Sequence, residues 1–140
     1  MNAHAQILGI PQADRKYFTV EQANAALGYV SRIVSDLCAA YRDALAVQRR
    51  MEFPMPDEQA DPLHADYDRT IERLNSYVDE LREVGVELKD YEMGLIDFPS
   101  VHQGREVYLC WKLGEKEIVA WHEVDAGFSG RRDVKELTAE

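Results

Sequence analysis

The chain has 140 residues, 46% of them hydrophobic, and a formal charge of −10 from 16 bases and 26 acids. That length suits a single domain with one core. Divided at Gly85, the two parts hold nine bases against fourteen acids and seven against twelve, so neither is a basic surface for nucleic-acid phosphates or an anionic membrane.

Residues 1–17 show no sustained periodicity, because Gly9 and Pro11 interrupt the apolar run 7–10, and they are expected as a mobile or loosely docked arm. Thr19-Val20-Glu21-Gln22 then matches a capping box, in which the threonine oxygen and the glutamine side chain satisfy each other's backbone amides. From there Val20, Leu27, Val34 and Tyr41 fall seven apart, Ala23, Val30, Leu37, Ala44 and Met51 interleave, and Ala26, Ile33, Ala40 and Val47 widen the stripe. The spacing predicts one helix over 20–51, about 48 Å long at roughly 1.5 Å per residue. Gly28 inside it marks either simple tolerance or the close approach of another backbone.

Residues 52–61 hold Pro54 and Pro56 and form the connection. Asp61 is the expected N-cap, with Pro62 after it where its missing N–H costs nothing. The second helix carries Leu63, Tyr67, Thr70, Leu74, Tyr77, Leu81 and Val84 on one stripe, and Gly85 stops it as a left-handed C-cap. Two periodic helices on a short link predict an antiparallel hairpin spanning 18–85. The band on the first helix is wider than one partner helix covers. The sheet, a second copy of the chain or both must complete it, and a homodimer through this helix is the expected partner.

Past Gly85 the period changes to two. Val86 and Leu88 mark a short strand, and 94–98 a second one stopped by Pro99. Residues 105–113 and 116–123 form the strongest pair, joined through Gly114-Glu115 as a two-residue turn. That register sets Lys112 opposite Glu117, Trp111 opposite Ile118, Leu109 opposite Ala120 and Val107 opposite His122. Tyr108 then faces Trp121, and Cys110 faces Val119. A glycine-hinged loop, 125–132, and a polar tail, 133–140, complete the chain. The expected fold is α+β: one domain in which a long antiparallel two-helix hairpin packs with a C-terminal antiparallel sheet of three to four strands, 86–132.

Several of these stretches resemble a known family. FTVEQANAAL at 18–27, GVELKD at 85–90, GLIDFP at 94–99, REVYLCWKLGE at 105–115 and WHEVDAGFSGRR at 121–132 are together similar to the bacterial family catalogued as domain of unknown function 2203. The resemblance implies a small cytoplasmic protein and carries no activity, substrate, cofactor or catalytic residue. Cys38 and Cys110 lie far apart without a CxxC spacing, and read as reduced, buried small residues. No signal sequence is expected at the start, and no run approaches the roughly 20 apolar residues of a membrane span.

Four kinds of chemistry can be written on these residues. Arg131 and Arg132, with His122, Trp121 and Asp97, are the candidate ligand-binding set, since convergent glycine amides and a guanidinium suit a small anion. The alternative for the arginines is pairing with Asp125, Asp133 or Glu123. Asp97, His102, Cys110 and His122 are ligand types for zinc. In the register above, however, Cys110 and His122 point to opposite faces, so no metal and no cofactor is expected. Cys110 with His122, or Ser129 with His122 and Asp125, could form a nucleophile and base, but no GxSxG or HExxH accompanies them. The leading reading is an interaction or small-ligand module with an anion site at the GFSGRR loop. The alternative is a small enzyme or metal-binding protein using His122 with Cys110 or Asp97.

Overall fold

The structure, a computed structural model, describes residues 10–57 and 59–138. Helix α1 spans Val20–Glu52 and helix α2 spans Ala60–Val84. Five antiparallel strands follow in spatial order β1 to β5: Glu87–Asp90, Leu95–His102, Arg105–Lys112, Ala120–Glu123 and Arg132–Asp133. A 3₁₀ turn, Phe128–Gly130, precedes β5, and the four-residue helix α3, Lys135–Thr138, follows it. The α+β hairpin-plus-sheet architecture is the expected one. The two-residue β5 brings the sheet to five strands.

The capping box starts α1: the Thr19 hydroxyl accepts from the Gln22 amide at 3.1 Å, and Gln22 Oε1 accepts from the Thr19 amide at 3.0 Å. The wide band on α1 is covered from within the chain. Leu74 and Leu81 of α2 and Ile96, Phe98, Val107, Leu109, Trp111 and Trp121 of the sheet join Leu27, Val30, Val34 and Leu37 of α1 in one buried cluster. A Cβ built on Gly28 meets nothing within 4 Å, so that glycine is tolerated rather than required.

Helix α2 starts earlier than expected. Its N-cap is Gln59, without a side-chain cap, and Asp61 sits inside the first turn, where a carboxylate favours the helix dipole. Pro62 still falls among the amides that have no helical partner. Gly85 closes the helix at φ 98°, donating to Leu81 and Arg82 carbonyls.

Pro99 does not stop β2, which runs through it to His102. A strand residue points its nitrogen and carbonyl to the same edge. The Pro99 carbonyl faces outward and accepts from the Phe18 amide at 2.7 Å, so the missing N–H is on that side too and no β2–β3 bond is lost.

The β3–β4 register differs from expectation by one residue. Tyr108 pairs with His122 and Leu109 with Trp121, while Val107 meets Glu123 and Cys110 meets Ala120. Gly114-Glu115 does not make a two-residue hairpin. The Glu115 carboxylate accepts from the Lys112 amide at 2.7 Å and the Glu115 carbonyl accepts from the Trp111 indole at 3.0 Å. Residues 113–119 form a wide loop, fastened where Asn24 of α1 accepts from the Ile118 amide at 2.8 Å. The slip moves every β4 side chain to the other face relative to β3. Both tryptophans therefore lie together in the core on the helix side, and Tyr108 faces His122 rather than Trp121.

Residues 10–17 are docked on the sheet rather than swinging free, through Arg15 and Tyr17. The remainder of the expected arm, 1–9, lies outside the described residues.

Candidate functional site

Three strands bring their polar residues to the sheet face turned away from the helices. Asp97 of β2 pairs directly with Cys110 of β3, and His122 of β4 stands one pleat along, opposite Tyr108. Asp97, Cys110 and His122 are 2%, 0% and 3% exposed. One carboxylate oxygen, the Cys110 Sγ and one imidazole nitrogen all lie within 4.8 Å of one another.

Hydrogen bonding orients the imidazole. Nδ1 lies 2.8 Å from the Glu123 carbonyl, which can only accept, so Nδ1 carries the proton. Nε2 lies 3.0 Å from both Asp97 oxygens. Burial opposes a charge on the ring, but the hydrogen bond and charge of Asp97 with the Glu123 carbonyl outweigh it, and the His122 pKa is raised. Burial, reinforced by the Asp97 charge, pushes the Cys110 thiol up to about 12. Beside Asp97 the shift favours the protonated form of the His122 ring, and burial keeps Cys110 a thiol.

A second polar group adjoins the first. The side chain of Glu106, fully buried, is bridged by Arg15, which also bridges Glu87, the cross-strand partner of Asp97. Tyr17 donates to Glu106 at 3.3 Å. Arg15 lies 3.4 Å from the Tyr108 hydroxyl, and the Tyr108 ring centre is 5.4 Å from that of His122. Burial, with the hydrogen bond from Arg15 opposing it, lifts the Tyr108 phenol to about 12.

The expected ligand set is dispersed. Arg131 donates to both Glu115 oxygens at 2.9 Å and stacks on Phe128 with 5.2 Å to the ring centre. Arg132 pairs with Glu136 at 2.7 Å and lies 4.8 Å over the Trp121 ring. The paired acids are thus Glu115 and Glu136; Glu123 is held instead by Arg105, whose hydrogen bonds at 2.7 and 2.8 Å lower its pKa. Trp121 is buried on the helix side of the sheet. Among the five residues expected to bind a ligand, Asp97 and His122 are brought together. His102 lies with the helix-side residues, its ring 5.7 Å from Trp121, and does not join them. Ser129 and Asp125 are exposed, while both His122 nitrogens are engaged elsewhere, so no serine triad forms.

The sequence reading missed Arg15, Tyr17, Glu87 and Glu106. The available signal was Glu106, an acid on the strand face that otherwise reads Tyr108 and Cys110. Its partner came from a stretch without periodicity, which local patterning cannot connect to a strand.

A family model described as "Uncharacterized conserved protein (DUF2203)" matches residues 16–134. Comparisons with curated proteins and with solved structures give no match.

Proposed function

The chain belongs to the family described as DUF2203, uncharacterized conserved proteins, and within it we propose a metal-binding function: Asp97, Cys110 and His122 hold one divalent ion of the zinc type. The observation that carries this reading is the meeting of the three donors on one buried face. Thiolate, imidazole and carboxylate are zinc's ordinary ligands. Tetrahedral coordination with bonds of roughly 2.0–2.3 Å sets donors about 3.3–3.8 Å apart. Small side-chain adjustments within the 4.8 Å limit reach that spacing.

Charge balance supports it further. Carboxylate, thiolate and neutral imidazole would balance the two positive charges of a divalent cation. Such a group is neutral, which a buried site requires. The Nδ1–H bond to the Glu123 carbonyl is the outer support commonly given to a ligating histidine, and it leaves Nε2 for the metal. Ligation needs the thiolate and the neutral imidazole, so protons compete with the metal and affinity falls as pH falls.

The leading anion-site expectation at 127–132 loses its support because both guanidinium groups are occupied by acids and aromatic rings. Zinc titration followed by thermal unfolding tests the metal reading. Free zinc at 100 times Kd adds about 2.7 kcal/mol of stability. The gain is expected in the parent chain and absent in His122→Ala. Equal response of both proteins, or of neither, contradicts the site.

A further inference from the structure

We propose that residues 12–18 form a strap that gates this metal site, with Arg15 as its latch; the inference rests on the metal-binding reading. The strap is tied at three points. The Phe18 amide donates to the Pro99 carbonyl, the Tyr17 hydroxyl donates to Glu106, and Arg15 spans Glu87 and Glu106 on the polar face. The Gln12 amide donates to the Tyr17 hydroxyl at 2.8 Å, holding the segment in a closed turn over the same acids.

Arg15 sits where a cover would sit. Its guanidinium lies 5.5 Å from the Tyr108 ring centre, and the same ring packs against His122 at 5.4 Å between centres. One aromatic side chain touches both the latch and a proposed metal ligand. Tyr108 is only 6% exposed, so the strap helps to close this approach to Asp97, Cys110 and His122.

Charge couples opening to metal entry. With the strap closed, Arg15 and Lys89 together offset the carboxylates of Glu87 and Glu106, and the guanidinium stands as a cation in the path of an incoming cation. With the strap lifted, Glu106 loses its cation, while Glu87, directly opposite Asp97, keeps Lys89 at 3.2 Å. The uncompensated Glu106 carboxylate attracts a divalent ion toward the ligands behind it. Closure then restores the low-dielectric surroundings that strengthen the bound state. The strap thus controls the rate of exchange more than the final affinity.

The latch is also the weak point of the cover. Removing Arg15 leaves Glu106 buried without its cation, a state that local opening relieves.

The test uses the full chain carrying Cys38→Ala, so that Cys110 is its remaining thiol. Two rates are measured, at one pH: labelling of metal-free Cys110 by a disulfide reagent, and transfer of bound zinc to a chelator. Arg15→Ala is expected to raise both by about tenfold or more, because each follows the population of the opened form. Arg15→Lys, which keeps the charge, is expected to raise them less. Far-UV circular dichroism establishes that each variant is folded. If Arg15→Ala does not fold, Tyr17→Phe removes one hydroxyl from the strap and is expected to raise both rates about twofold. Unchanged rates in the folded variants overturn the gate and leave the metal site standing. A parent chain that takes up no zinc overturns the metal site and the gate with it.

Discussion

Gly94 has little freedom to be replaced. Its φ is +67°, and a Cβ there would lie 2.8 Å from Leu113 Cβ, 3.0 Å from Val34 and 3.1 Å from the Cys38 sulfur. Turn, core and helix meet at that point, immediately before the strand that carries Asp97. Gly94→Ala combines left-handed strain with overpacking and is expected to cost about 2 kcal/mol or more in urea unfolding. A change within error would mean that the turn at 90–94 rests differently on α1. His122 illustrates the complementary case, a residue fixed by its partners rather than by its backbone. One nitrogen is committed to a carbonyl and the other to a carboxylate, so the ring can trade a proton for a metal without reorienting.

Among the elements, α1 was the most legible from sequence and β4 the least. A long stripe with a capping box determines a helix from local information alone, and both its start and its extent emerged as expected. Gly28 gives this a direct test. With open space at its Cβ position and an ordinary helical backbone, Gly28→Ala is expected to stabilise the chain by about 0.5–1 kcal/mol. Destabilisation would revive the close-approach alternative. Strand β4 depended on a loop whose geometry no local rule supplied. Glu115 takes up the Lys112 amide, Trp111 bonds back to Glu115, and Asn24, far away in the chain, anchors Ile118. Those bonds, two within the loop and one from α1, lengthen the connection and shift the ladder by one. The shift decides the chemistry: with one register Cys110 and His122 stand on opposite faces, and with the other they share a buried group with Asp97. The residues of the candidate site were readable in the sequence. Their meeting was not, because strand alternation converts a one-residue error into a complete exchange of faces.

At the scale of the molecule, the helices cover one face of the sheet and leave the polar groups on the other. The chain's own sheet and α2 complete the α1 band, so the surplus stripe that called for a second copy is largely accounted for. Tyr29 and Leu45 remain as exposed large residues on α1, about 24 Å apart along the helix axis, rather than as a continuous seam. We therefore expect light scattering to give the monomer mass of 16.0 kDa; twice that mass would restore pairing through α1. None of the described helices is long and apolar enough to cross a membrane. What distinguishes this fold is a polar face closed by a segment from the other end of the chain, where a hydrophobic layer would be the simpler cover. A cation held there gives that arrangement a purpose. Cobalt(II) titration followed by absorption spectroscopy tests the point most directly, because a thiolate–cobalt bond produces its own near-ultraviolet charge-transfer band. The account expects a saturating, stoichiometric band in the parent chain and its loss in Cys110→Ser; no band in the parent, or the same band in the variant, would contradict it.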